Sequence, residues 1–399
     1  MRVVHINSYS NGSTGHIVNS VHKALLARGD ESLFAYGMGP DSTEGGYRIS
    51  NRFHMFQHTI VSLFLGLHGY SSGHDTRKLI RKIKKFKPDI VHLHNLHGGY
   101  IHFGRLFDFL TSSGVKIVIT VHDCWLYTGK CYHYYEAGCR KYLDGCGNCP
   151  QLSMYPKSYH FDFTAKMLTD KKEKISRAKD LHIITISNWL QEEVKQTFLG
   201  KYPIKTIRNG VNPVFTRYSS DVLKELQKKN NHKFVILGVA SSWNVHKGIK
   251  DFIDLADFLQ DDEEIVLVGN MSRNVILPSN ISVVEHTESI EDLVAIYNSA
   301  SVYVSMSTEE TFGLTIAEAL NCGIPAVVYN ATACAEMVSD GENGYVVPPH
   351  NIEQVYESIQ KIKKNKDINH ALISQNASSK YSSERMVKEY LEYYCDILY

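Results

Sequence analysis

The feature that most constrains this 399-residue chain is a repeated alternation of short β-branched runs with amphipathic stretches. "RVVHINS" (2–8), "PDIVHLH" (88–94), "KIVITVHD" (116–123) and "LHIITIS" (181–187) are apolar nearly throughout, as strands buried on both faces must be. "YSNGSTG" reads as a loop after the first run. The following "HIVNSVHKALLARG" sets Ile17, Val18, Val21, Ala24 and Leu25 at helical spacing, and Gly29 ends it. Strands alternating with helices predict an α/β chain with a parallel sheet covered on both faces.

The alternation starts afresh at "HKFVILGVA" (232–240). "EIVLVG" (264–269), "ISVVE" (281–285), "SVYVSMS" (301–307) and "GIPAVVY" (323–329) follow, with helical segments between them. A chain of this length exceeds one compact core. The expectation is therefore two Rossmann-like, doubly wound domains facing one another across a cleft. The first covers 1–206 with a cysteine-rich insertion at 124–150, and the second covers 207–378. A last helix over 379–399 is expected to cross back to the first domain.

Composition excludes several classes. A formal net charge of +1 gives no global reason to bind nucleic acid, so any anion site has to be local. No run reaches the ~18 apolar residues of a membrane span, and "HMFQHTIVSLFLGLHGY" (54–70), which comes nearest, is too short and interrupted. The N-terminus lacks a signal core and eight cysteines then point to a reducing compartment. The expected location is cytoplasmic, at the inner face of the cell membrane or free of it.

The chemistry concentrates in "STEETFGLTIAEALNCGIPAVV" (307–328). A buried strand ends, "TEET" turns, Gly313 lets backbone pass close to a ligand, and "LTIAEAL" begins a helix. Ligands of open α/β sheets sit beyond the carboxyl ends of strands. A helix start there offers the N–H groups of Gly313, Leu314 and Thr315 and a positive dipole end, which suit phosphate. Glu310 in the loop and Glu318 inside the helix can each accept hydrogen bonds from hydroxyl groups. A phosphate with polyols on both sides describes a nucleotide sugar. Taken alone, the two glutamates read first as a cap and a solvated helix face, and only second as ligands.

With its Phe-Gly pair and "EALNCGIPAVV", this segment resembles the signature of glycosyltransferase family 4, retaining enzymes of the GT-B fold. "NSYSNGSTG", "PDIVHLHN", "IRNGVNPVF", "VASSWNVHKG" and "SDGENGYVV" resemble further family elements, in the family's order, over nearly the whole chain. The resemblance implies that Glu310 binds the transferred sugar and that Phe312, Gly313, Leu314 and Thr315 hold sugar and diphosphate through their amides. It gives Glu318 the ribose and Lys247 the charge of the departing diphosphate. Gly12 and Gly15 would bring the first loop near donor or acceptor. His122 would bind or orient the reacting sugar. Where the family keeps a second cation, commonly arginine, this chain has His246. Either it shares the role, or Arg208 or Arg273 reaches in. "NATACAE" also departs from the usual Gly-Gly before Glu336. No metal is required for catalysis.

The implied activity moves a sugar from a nucleoside diphosphate donor to a growing surface polysaccharide or lipid-linked oligosaccharide. A small soluble saccharide acceptor, or a nucleotide-sugar-binding protein without catalysis, are the alternatives. Two further clusters stand outside this core. "CYHYYEAGCRKYLDGCGNC" gathers Cys131, Cys139, Cys146 and Cys149, and its closing Cys-x-x-Cys suits a structural zinc, with free buried thiols the equal alternative and disulfides third. His92, His94 and His97 read as strand-end packing or acceptor contact before metal. "RKLIRKIKKFKP" (77–88) makes a basic amphipathic helix, with Leu79, Ile80, Ile83 and Phe86 on one face. That stripe is expected to pack on the first domain and expose the lysines, with an anionic membrane surface the alternative seat that the charge excess favours.

Overall fold

The computed structural model describes residues 1–40, 44–229, 233–272 and 274–399. The chain folds as two compact units, Met1–Arg208 with Val387–Tyr399, and Asn209–Met386.

The first unit is built on seven strands: β1 (Arg2–Tyr9), β2 (Glu31–Met38), β3 (Gly46–Arg48), β4 (Ile90–Leu93), β5 (Lys116–Val121), β6 (Leu181–Thr185) and β7 (Ile204–Thr206). All pair in parallel, in the order β3-β2-β1-β4-β5-β6-β7. Val3, Val4, Ile6, Val91, Leu93 and Ile183 are buried, as the continuous apolar runs require. β2, β3 and β7 carry no such run of pure β-branched residues and were not foreseen. The first loop is shorter than expected, because the helix following β1 starts at Gly12 and runs to Ala27. Asn11 provides the extended residue before it, and Ile17, Val18, Val21 and Leu25 turn inward. Tyr390 and Tyr394, near the C-terminus, hydrogen-bond to Thr120 at 3.1 Å and His92 at 2.5 Å, beneath this sheet.

The second unit carries β8 (Phe234–Ser242), β9 (Glu263–Asn270), β10 (Ile281–Val284), β11 (Val302–Ser305), β12 (Ala326–Tyr329) and β13 (Gly344–Val347). Its order is β10-β9-β8-β11-β12-β13, again wholly parallel. Ile236, Phe252, Leu267, Val302, Val304 and Tyr329 form its core. In both units the winding reverses beside the first strand, between β1 and β4 and between β8 and β11. That reversal opens a crevice at the carboxyl ends of those strands.

Local signals fix the helices. Ser289 caps Ile290–Ser299 through a capping box with Asp292. Asn351 caps Ile352–Lys364, and Asn369 caps His370–Tyr381. The basic helix runs Gly73–Phe86. Its Leu79 and Ile83 are buried in the first unit, while Ile80 and Phe86 are half-buried.

Candidate active site

In the second unit, two loops converge at the switch point. β8 leads through Trp243 and Asn244 into a single 3-10 turn, Val245–Lys247, where the Asn244 side chain accepts a hydrogen bond from the Lys247 N–H at 3.2 Å. Gly248 closes the turn at φ +74°, and a Cβ there would meet Met306 at 2.5 Å, so only glycine fits this crossing. β11 leads into the second loop. Its Ser307 hydroxyl and Thr308 N–H both donate to the His246 carbonyl, at 3.1 and 3.2 Å. The two loops are thereby tied backbone to backbone.

That tie brings Lys247 to Glu310, and the ammonium donates directly to Oε1. Both side chains keep partial access to solvent. The Glu310 backbone is fixed in turn. Its N–H donates to the Thr332 hydroxyl at 2.9 Å, and its carbonyl accepts from Ala333 at 3.1 Å. Beside this pair, His246 Nδ1 lies 3.4 Å from Oε2 of Glu309, whose side chain is buried.

Gly313, at φ +90°, starts the helix Leu314–Asn321. The first N–H groups of a helix have no carbonyl one turn back, so this turn presents donors beside the ion pair. Phe312 is buried, edge-on to Tyr381. Thr315 is held through Tyr303, whose hydroxyl donates to its Oγ1 at 2.8 Å. Tyr297 donates to Glu318 at 2.9 Å. Burial nevertheless pushes the Glu318 carboxyl up to about 7, the tyrosine hydrogen bond opposing the shift. A cavity of about 410 Å³ lies instead at the amino ends of the same strands, bordered by Arg217, Phe234 and His370, away from these groups.

In the first unit, His94 and His122 follow β4 and β5, their nearest ring nitrogens 3.1 Å apart. Burial lowers the His122 ring to about 4, so it is neutral at physiological pH. Asp123 pairs with His97 at 2.7 Å and caps the next turn through the Trp125 N–H. Gly12 has a positive φ and open space around it. Gly15 instead packs against the end of β1, where a Cβ would meet the Ser10 carbonyl carbon at 2.7 Å. Arg208 closes the first of this unit's two chain segments, and Arg273 lies outside the described residues.

Two family models cover these elements: Glycosyltransferase Family 4 over residues 14–215 and Glycosyl transferases group 1 over residues 221–379. The chain belongs to glycosyltransferase family 4. WcaC of Escherichia coli K12, named as a colanic acid biosynthesis glycosyl transferase, is 23% identical over 96% of each chain. The O-antigen chain mannosyltransferase RfbU of Salmonella typhimurium is 25% identical over 52% of this chain and 60% of its own. The fold of this family 4 glycosyltransferase is GT-B. Anabaena HepE, solved in complex with UDP-glucose, superposes with a TM-score of 0.67 at 15% identity, covering 99% of this chain and all of its own. WaaG, a glycosyltransferase involved in lipopolysaccharide biosynthesis, gives 0.65 at 14%, covering 97% and 98%.

Several groups of this glycosyltransferase escaped sequence reasoning. Glu309 was hidden beside Glu310, and only the positions of the loops separate a buried acid facing His246 from one facing Lys247. Thr332, Tyr297 and Tyr303 carry no sequence signal, since their roles depend on neighbouring strands. The histidine cluster is also different from the triplet expected. Among the described residues, His5, His92 and His94 have ligating atoms within 4.8 Å of one another, whereas His97 pairs with Asp123. Both nitrogens of His92 are already taken by Tyr394 and Thr120, which is the pattern of packing.

The four insertion cysteines are free and half-buried. Among the described residues the cysteine thiols do not come together as a group of three or more within 4.8 Å, as the histidine nitrogens do. Gly147 and Asn148 have positive φ and shape the Cys146–Cys149 turn. Two buried lysines flank it. Lys130 donates to the carbonyls of Gln151, Leu152 and Met154 at 2.7–3.0 Å. Lys171 donates to those of Trp125, Thr128 and Gly129 at 2.6–3.3 Å.

Proposed function

We propose that this glycosyltransferase moves a sugar, with retention, from a nucleoside diphosphate donor to a growing surface polysaccharide or a lipid-linked oligosaccharide. The observation that carries the reading is the Lys247–Glu310 pair beside the helix start at Gly313. A diphosphate placed there takes the ammonium and the N–H groups of Leu314 and Thr315, which quiet negative charge as the bond to the sugar breaks. Glu310, released from the lysine, accepts hydrogen bonds from the sugar hydroxyls. Glu318 does the same for the ribose, and the amides of Phe312 and Gly313 serve the sugar. His246 with Glu309 supplies a second cationic position when protonated. His122, neutral, binds or orients and does not act as a base. The leaving phosphate then accepts the acceptor's proton on the same face of the sugar.

WcaC, RfbU and WaaG are named for colanic acid, O-antigen chain and lipopolysaccharide building, and this supports the acceptor class. A panel of nucleotide sugars ranked by thermal shift, followed by transfer to lipid-linked and free saccharides, tests the reading. The expected product keeps the anomeric configuration of the donor. Inversion, or transfer undiminished in Lys247→Ala, overturns it.

For the insertion we propose a structural zinc on Cys131, Cys139, Cys146 and Cys149. Four thiolates on one divalent ion carry two net negative charges; binding would draw the four thiols together, and that charge would favour the protonated form of the buried Lys130 and Lys171, which burial otherwise disfavours. Metal analysis of protein purified without chelator is expected to give one zinc per chain, lost in Cys146→Ser with Cys149→Ser. Zinc-free, fully folded protein refutes the site.

A further inference from the structure

The helix Arg52–Leu65 is built inside out. A helix on a protein surface normally turns its apolar stripe to the core. Here Phe53, Phe56, Ile60 and Phe64 recur at three- and four-residue spacing along the outer face, with exposures of 64, 62, 39 and 52%. The buried side holds Met55, His58 and Ser62. It is fastened by polar contacts: His58 Nδ1 to Ser72 Oγ at 2.9 Å, the Gly69 N–H to His58 Nε2 at 3.1 Å, and the neighbouring His54 to Asp75 at 2.8 Å. No acidic residue occurs anywhere in the helix.

The apolar surface does not stop there. The segment 154–161 joins the end of the helix, its Tyr159 N–H donating to the Leu63 carbonyl at 2.9 Å and His160 stacking on Phe64. It adds Met154, Tyr155, Tyr159 and Phe161, each 42–59% exposed. Contiguous exposed apolar surface of this kind marks an interaction site. The contacts through Ser72 and Asp75 also set this helix against the beginning of the basic helix Gly73–Phe86. There Arg77, Lys78, Arg81, Lys82, Lys84 and Lys85 are all exposed, and the one acid, Asp75, is buried.

We propose that this outer face seats the protein on an anionic phospholipid bilayer, its aromatic rings entering the headgroup–acyl boundary while the basic helix draws it to the negative surface. Aromatic side chains and aliphatic groups above a collar of lysine and arginine are the chemistry of interfacial helices. The charge argues for lipid over a second copy of this chain. Two copies meeting through this face would bring six cations toward six others, in a protein whose whole formal charge, these included, is only +1. The inference is independent of the sugar-transfer reading, since seating can fail while transfer to a soluble acceptor persists.

Sedimentation of the full chain with vesicles of phosphatidylcholine, with and without 30 mol% phosphatidylglycerol, tests it. Wild type is expected to bind the anionic vesicles at least tenfold more tightly than the neutral ones. Phe53→Ser with Phe56→Ser and Phe64→Ser should lose tenfold or more at every salt concentration. Lys82→Glu with Lys84→Glu and Lys85→Glu should lose binding at low salt and differ little from wild type at high salt. Unchanged melting curves establish that the variants fold, as exposed positions should allow. Wild type that ignores both vesicles overturns the proposal. So does a phenylalanine variant that binds like wild type, or one whose only change is conversion of a dimer to a monomer.

Discussion

The ammonium of Lys247 rests on the carboxylate of Glu310, although the two residues leave different strands, β8 and β11, and stand 63 positions apart in the chain. Each is the other's partner until a ligand claims both. On the proposed reading, removing the lysine does two things: it takes away the charge that would meet the diphosphate and leaves Glu310 facing it. Lys247→Ala is expected to lower kcat on the order of 10²–10³-fold, the scale for loss of one group that stabilises a developing charge. Glu310→Gln should instead raise KM for the donor sugar more than it lowers nucleoside diphosphate affinity. Steady-state kinetics with competitive nucleotide inhibition separates the two.

Glu318 sets a pH dependence. Its carboxyl is raised in the folded state to about 7 from an ordinary value of 4.5, burial being the main cause. Between those values the folded chain holds the proton more tightly than the unfolded chain, so this group's contribution to stability declines as pH rises from about 4.5 to 7. Glu318→Gln has no such loss. Urea melts should show the variant gaining on wild type as pH goes from 5 to 8, by at most about 3 kcal/mol. Donor affinity, if the ribose needs the carboxylate, should rise in wild type over the same range and stay flat in the variant.

The buried rings of the first unit act with the opposite sign. Burial lowers His58 and His122 to about 4, and burial with the nearby His22 lowers His5 to about 3. The unfolded chain then binds more protons below pH 6.5, and stability is lost as pH falls from 6.5 toward 4, on the order of a few kcal/mol per ring. Both nitrogens of His5 are buried without a hydrogen bond. His5→Leu is therefore expected to match or exceed wild-type stability at pH 7 and to lose less at pH 5, read by thermal unfolding across pH.

Gly248 separates a packing effect from a chemical one. A side chain there meets Met306 at 2.5 Å and must also hold φ at +74°. Gly248→Ala should cost roughly 2 kcal/mol or more and displace Lys247. Denaturant midpoints and kcat are expected to fall together, whereas Lys247→Ala should reduce kcat with little change in midpoint.

Much of this was legible in the sequence because the strands are buried on both faces. Ile90–Leu93 and Val302–Ser305 announce themselves by composition alone, and a helix opening at Gly313 follows from the glycine and the apolar spacing behind it. β3 and β7 stayed hidden because edge strands of three residues have no pattern to detect. The inside-out helix at 52–65 was visible as an apolar run, but which way it faced depended on His58 finding Ser72. The pairing of Lys247 with Glu310 lay beyond reach for a similar reason. Spacing along a chain says nothing of which loops meet at a sheet's end.

Thr332 holds φ at +47°, a conformation that a β-branched side chain resists, and it lies in the short segment where "NATACAE" departs from the family's glycines. Its hydroxyl receives the Glu310 N–H, so the strain is kept in exchange for an anchor on the carboxylate's loop. Replacing it with glycine would relax the turn and unmoor the loop at once, and on the proposed reading a position just after β12 would then tune how Glu310 meets the sugar. If that reading holds, laboratory evolution of new donors has reason to begin at Thr332, one hydrogen bond behind the carboxylate's loop.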